Sequence, residues 1–244
     1  MTNPSRPQLF GLLAGIFLAG GLVLASMVVT RAWLKVAEPQ TISVTGSSRR
    51  TVHSDLIIWR AGFSTEAASL LEAQNTLKVN RVKVGAFLAT QGVTNAIVSS
   101  IAITPLKHRG GAGESDSPTT GYRLSQTIEI RSPEVARTLG LDQASMALVE
   151  DGVAFVPTTP QFVYTGAADA KIEMLAEATR DARQRADQIA REGGRRVKEL
   201  RSARMGVFQI TPLHSSEVSW DGMNDTTAPD KTITSVVNAQ FTIE

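Results

Sequence analysis

The sequence has 244 residues, 42% hydrophobic and 20% charged, which suits one globular domain or two small ones with a sizeable core. Its 25 basic and 23 acidic residues leave a net charge of +2, without the excess that marks a dedicated nucleic-acid binder, so no nucleic-acid partner is expected. The absence of cysteine excludes disulfides, thiolate metal sites and cysteine nucleophiles, and fits an oxidising compartment.

After a tail of residues 1–8, Leu9 to Thr30 form an uncharged run of 22 residues. As a helix it would extend about 33 Å, enough to cross the hydrocarbon core of a bilayer. It is longer than the apolar stretch of a cleavable signal, and "LAS" at Leu24–Ser26 makes a poor cleavage site, so an uncleaved anchor over residues 9–30 is the preferred reading and a cleaved signal the alternative. Gly11, Gly15, Ala19 and the adjacent Gly20 give the small-residue spacing that lets membrane helices pack closely. Arg6 and the amino terminus balance Arg31 and Lys35, so charge does not orient the span; the short tail favours translocation of the large C-terminal part.

Residues 31–40 read as a linker and residues 41–244 as an α+β domain of mixed strands with two long helices and one shorter helix. Thr41–Gly46 and Asp55–Phe63, rich in β-branched and aromatic residues, predict strands. A helix follows over Glu66–Gln91, started by Ser64-Thr65-Glu66, with Leu70, Leu77, Val84 and Leu88 on its apolar face. Ala96–Thr104 predicts a strand stopped at Pro105, and the Gly/Ser-rich segment 107–120 a loop. Gly121–Arg131 is a strand with Tyr122, Leu124, Gln126, Ile128 and Ile130 on one face. Ser132 and Pro133 then open the shorter helix, running to Leu148. Gly152–Thr165 is a strand whose Pro157 and Pro160 point to an edge or a bulge.

The second long helix begins near Ala167 and ends at Gly193-Gly194. Its expected apolar stripe is Ile172, Leu175, Ala176, Thr179, Ala182, Ala186, Ile189 and Ala190, half of it alanine, so the helix can lie close to a sheet. Its charges alternate in sign at four-residue spacing, as in Asp181/Arg185, and read as a solvated face. The tail beyond it holds Arg195, Arg196, Lys198, Arg201 and Arg204 against one Glu199. It carries no aromatic platform for bases, and lipid headgroups or an acidic partner subunit remain open. Arg195, Arg196, Arg201 and Trp220, an aromatic in a polar loop, are candidate contact residues. A last strand, Thr232–Ile243, alternates with Ile233, Ser235, Val237, Ala239, Phe241 and Ile243 on one side.

The strings "ISVTG", Asp55 opening the next strand, "AIVSSIAITP", "GYRLSQTIEI" and "ATRDARQRADQIAREGG", in this order over Ile42 to about Ile210, resemble the SIMPL-domain family. Two positions depart from its pattern: Ser48 and Ser54 stand where the family tends to have glycine and proline. The resemblance implies an α+β fold, a bacterial envelope location (mostly periplasmic) and, in some members, ring- or channel-like homo-oligomers. It supplies no catalytic residues.

The residues add little chemistry. His53, His108 and His214 have no partner at metal-ligand spacing, although His53 and Asp55 would share a strand face. His108 and His214 each follow a Thr-Pro-Leu tripeptide, an echo consistent with an internal strand–helix–strand doubling. "RGGAG" at 109–113 lacks the ending of a phosphate-binding loop, and no nucleophile elbow is present. No catalytic, cofactor or metal residues are therefore assigned. The leading expectation is a non-enzymatic protein with a structural or stress-related envelope role, single-pass in the bacterial inner membrane with its C-terminal domain in the periplasm, that contacts the bilayer through residues 9–30 and assembles with itself into a homo-oligomer, with a ring or channel as one form. The alternatives are a small-ligand or lipid binding module at subunit clefts and a hydrolase with an unrecognised site.

Overall fold

A computed structural model describes residues 6–37, 40–107, 118–215, 217 and 219–244. The elements are α1 (Arg6–Ala37), β1 (Thr41–His53), β2 (Leu56–Ala67), α2 (Leu70–Thr90), β3 (Ile97–Val98), β4 (Ala102–Lys107), β5 (Thr119–Ser132), α3 (Val135–Leu139), α4 (Leu141–Ala144), α5 (Met146–Glu150), β6 (Ala154–Val163), α6 (Ala167–Glu192), β7 (Val197–Pro212) and β8 (Asp230–Ile243). The architecture is α+β, with strands in two sheets. One sheet has the order β1-β8-β7; the other runs β3-β5-β2-β6, with β4 also paired to β5. The chain divides into two compact units: Met1–Ser47 with Glu177–Gly206 and Val237–Glu244, and Ser48–Ala176 with Val207–Val236.

In the larger unit, period-two alternation on β2 and β5 builds the core. Ile57, Trp59, Ala61, Phe63 and Thr65 of β2 are buried, as are Leu124, Gln126, Ile128 and Ile130 of β5. The antiparallel register sets Trp59 opposite Ile130 and Ala61 opposite Ile128, so the buried sets share a face. Helix α2 supplies Ala73, Leu77, Asn80, Val84 and Leu88. Its start differs from the expected one. Ser64, Thr65 and Glu66 are still in β2, and the cap is Ser69, whose hydroxyl accepts the Glu72 N–H at 3.3 Å. The signal was the Ser-x-x-Glu spacing of residues 69–72. Leu70, expected inside, is 39% exposed because it lies in the first turn, off the core face.

Three further expectations are corrected in this unit. The strand expected over Ala96–Thr104 is two short ones, and β4 runs through Pro105, which faces Tyr122; an edge strand tolerates the missing N–H. The shorter helix is three single turns broken at Gly140 and Ser145, and its N-cap is Glu134 rather than Ser132, whose hydroxyl accepts the Glu134 N–H at 3.0 Å. The break lets Thr138, Leu141, Ser145 and Leu148 all turn inward. His53 and Asp55 share no strand face, because residues 54–55 are the turn between β1 and β2. Within that turn the Ser54 N–H donates to the Pro229 carbonyl at 2.8 Å, a bond that proline could not make. Strand β6 is an edge with a register shift opposite Ile58–Arg60, matching both readings of its prolines. A second cluster in this unit joins Val52, Ala170, Met174, Ile210 and Ile233.

In the smaller unit, α6 buries Ala178, Ala182, Ala186 and Ala190, and β8 buries Val237, Ala239 and Phe241. The expected α6 stripe needs correction. Along the whole helix the buried residues are Ala170, Met174, Ala178, Ala182, Ala186 and Ala190, each four apart, while Ile172 and Ile189 are 71% and 54% exposed. The physical reason lies at Gly46. A Cβ there would stand 2.1 Å from the Ala178 carbonyl oxygen and 2.5 Å from the Ala182 nitrogen. Backbone against backbone leaves room only for small side chains, so the helix turns its alanines inward and its isoleucines out. Segment 107–120 and the RGGAG string fall, apart from residues 107 and 118–120, outside the described residues.

Candidate functional site

Helix α1 carries an apolar span at Phe10–Trp33, none of it buried among the described residues. It also takes in residues 31–37, which the sequence suggested as linker. A Cβ added to Gly11, Gly15 or Gly20 would meet no atom within 4 Å, and Ala19 is exposed. The face these four residues form is thus bare, with a shape that a second apolar helix could approach closely.

Strings from the two ends of the domain meet at Gly46. Beside it the Ser47 N–H donates to Asp181 Oδ2 at 2.8 Å, and Arg185 Nε sits 2.9 Å from the same oxygen. This N–H and the Arg185 guanidinium hold the Asp181 carboxyl below its ordinary range. The "ISVTG" and "ATRDARQRADQIAREGG" strings are therefore two halves of one packing joint.

The basic tail separates into two places. Arg195 and Arg196, with Asp187, Arg191, Gly194 and Val197, line an open cleft of about 520 Å³. Gly194, at φ +68, makes the turn there, and the Arg195 N–H closes on the Ala190 carbonyl at 2.8 Å. Arg196 and Glu244 exchange both backbone hydrogen bonds, at 2.9 and 3.0 Å, fixing the start of β7 against the end of β8. Arg201 lies outside this cleft, exposed on β7. Alongside, Ser43, Thr45, Ser202, Arg204, Asn238 and Gln240 line a shallow trough of about 330 Å³. Two of its side chains bond each other, Thr45 Oγ1 donating to Asn238 Oδ1 at 2.7 Å, and Gln240 Nε2 donates to Thr41 Oγ1, outside the lining, at 2.9 Å.

The remaining polar groups fasten loops. His53 Nδ1 meets the Asp230 carboxylate, and both are solvent-accessible. Asp55 instead accepts the Thr165 N–H at 2.8 Å and its hydroxyl at 2.7 Å; burial opposes ionisation, but these bonds leave its carboxyl below the ordinary value. In the loop before β8, Lys231 Nζ donates to the Asp225 carboxylate at 2.7 Å and to its carbonyl at 2.6 Å, with both side chains buried. The Thr227 and Ala228 N–H groups and the Thr227 hydroxyl also donate to Asp225. Burial pushes the Asp225 carboxyl up, but the lysine and these donors outweigh it and hold it at about 2. Trp220, in the same loop, is 95% exposed. Thr211-Pro212 end β7 and His214 follows at φ 65, whereas His108 lies outside the described residues and the first Thr-Pro-Leu is inside β4. Among the described residues no three His, Asp or Glu side chains are grouped as metal ligands.

One surface escaped the sequence reading. Leu71, Val79 and Val82 of α2 are 68%, 56% and 68% exposed, and Ala86 is exposed beside them. At 100° per residue they lie opposite Leu77, Val84 and Leu88. Helix α2 is apolar on two sides, a pattern visible in the sequence once positions outside the core stripe are plotted.

An apolar N-terminal helix followed by a two-sheet α+β domain with a Gly46–α6 joint defines the class. The model of the SIMPL family, described as a protein of unknown function (DUF541), matches residues 42–241, and the chain belongs to that family. A search of curated proteins finds no match.

Proposed function

We propose that this is a non-enzymatic, membrane-anchored protein of the bacterial envelope that assembles with copies of itself, its domain of residues 41–244 on the periplasmic side of the inner membrane. The observation that carries the anchor is the Phe10–Trp33 helix, apolar around its circumference and covered by none of the described residues. A helix of that kind has no stable place in water. In lipid its Gly11, Gly15, Ala19 and Gly20 face serves helix association. Self-assembly is supported by uncovered apolar surface on the domain itself: Leu71, Val79 and Val82 on α2, and Trp220 on its loop. Arg195, Arg196 and Arg201 are assigned to contacts outside the chain because they are exposed, while nearby Lys198 pairs with Glu244 and the Ser202 hydroxyl with Gln240. The buried ion pair of Asp225 and Lys231 is spent on fastening a loop, which supports a structural role.

Alkaline carbonate extraction followed by sizing in mild detergent tests both halves. The protein is expected in the membrane pellet and at a multiple of the chain mass. Release into the supernatant would remove the anchor, and a solitary chain in detergent would remove the assembly.

A further inference from the structure

The two sheets end in strands with very different edges. Strand β4 carries Pro105 and β6 carries Pro157 and Pro160, which cannot donate to an added strand, and β3 is two residues long. Strand β1 buries Gly46, Ser48 and Val52 along its length. Strand β7 is 16 residues long with no proline before Pro212, and it is the outer strand of the β1-β8-β7 sheet. Lys198 through Met205 are all exposed, with Leu200 and Met205 at 46% and 52%. Among the described strands, this is the one whose edge and both faces stand open together over eight residues.

The stretch Val197–Ala203 is also complementary to itself. In an antiparallel pair related by a two-fold axis through Leu200, Leu200 faces Leu200 of the second copy. Glu199 then faces Arg201 of the second copy, and Val197 faces Ala203, each twice; Lys198 faces Ser202. Moving the axis to Arg201 sets Arg201 against itself and leaves Glu199 facing Ala203. Moving it to Glu199 sets Glu199 against itself, and moving it to Ser202 leaves Glu199 facing Met205. Like charges directly opposite destabilise a pair and opposite charges favour it, so the Leu200 register is selected. Arg196 and Arg204 oppose each other just outside the stretch, where their long side chains turn into solvent.

We propose that β7 pairs with β7 of a second copy about a two-fold axis at Leu200, joining two three-stranded sheets into one of six strands. This names the contact for the self-assembly put forward above and rests on it. The Arg201 and Arg204 charges disfavour other basic strands presented to this edge, and Glu199 makes the chain's own β7 a matching one. Two anchors entering one bilayer in the same direction require the two-fold axis to follow the bilayer normal, so the joined sheet lies flat to the membrane.

The cysteine-free sequence makes the test direct. Directly opposed Cα atoms in an antiparallel pair are about 4.5–5.5 Å apart, within the range a disulfide spans. The full-length chain carrying Leu200→Cys, in mild detergent with copper–phenanthroline as oxidant, should give a covalent dimer on a non-reducing gel. The Ala203→Cys chain should not, because its two thiols would be about 20 Å apart along the strands. Arg201→Glu in the Leu200→Cys background should lower the dimer yield severalfold by opposing two glutamates, and adding Glu199→Arg should restore it. If the parent chain is oligomeric but Leu200→Cys gives no dimer, or Ala203→Cys gives as much, the β7 pairing is wrong and self-assembly stands. If the parent chain is a monomer, both fail.

Discussion

Replacing Gly46 with alanine would place a methyl group 2.1 Å from the Ala178 carbonyl oxygen, 2.5 Å from the Ala182 nitrogen and 2.7 Å from the Ala182 Cβ. Comfortable carbon contacts lie at about 3.5–4.0 Å, so this turn of α6 must retreat from β1 by about 1 Å or more. Overpacking typically costs about 1–3 kcal/mol, and occasionally more. Two of the three obstructing atoms are main chain and cannot change rotamer, which places the cost at or above the top of that range. The retreat also stretches the 2.8 Å bond from the Ser47 N–H to Asp181, worth about 1 kcal/mol at an accessible site. The expected loss is about 3–4 kcal/mol, read from urea unfolding in detergent by circular dichroism, with faster amide exchange concentrated in residues 177–192. Ala182→Gly should not rescue it, because the shortest contact is to Ala178. A loss below about 0.5 kcal/mol, or rescue by Ala182→Gly, would refute the joint.

Asp225→Asn leaves the Lys231 ammonium buried without its counter-charge and should cost about 3–5 kcal/mol by thermal or urea unfolding. In the parent, the Asp225 carboxyl lies at about 2 in the fold against an ordinary 3.8, so its contribution of about 2 kcal/mol is complete above pH 4 and lost as pH falls towards 2. The variant's melting temperature should accordingly fall less between pH 4 and 2. Leu77→Ala should cost about 2–5 kcal/mol, since Leu77 is buried against Trp59 and its neighbours, whereas Leu71→Ala on the open side of the same helix should change stability by less than about 0.5 kcal/mol.

Periodicity made the strands legible. Alternation on β5 and β8 named residues that are buried except at the strand ends, where Tyr122 and Ile243 are half-buried, because a strand with one covered face has few other ways to satisfy its side chains. Helix faces were harder. On α6 the largest apolar residues are outside and the alanines inside, since the deciding factor was the approach of Gly46 from a strand more than a hundred residues earlier. On α2 an apolar side opposite the core blurred the moment that a single buried stripe would give. The start of α2 was readable at Ser69–Glu72 but masked by the rival polar run at residues 64–66, which is β2. Of the surfaces, the basic tail was visible as composition. That Arg195 and Arg196 line a cleft while Glu199 and Arg201 lie on an open edge depends on where β7 begins and what covers it, which no local pattern encodes.

Native mass spectrometry of the protein extracted from membranes in mild detergent reports chain length and copy number together. The account predicts a multiple of a chain that retains Leu9–Thr30. A single chain, or one trimmed near Ala25, would contradict it.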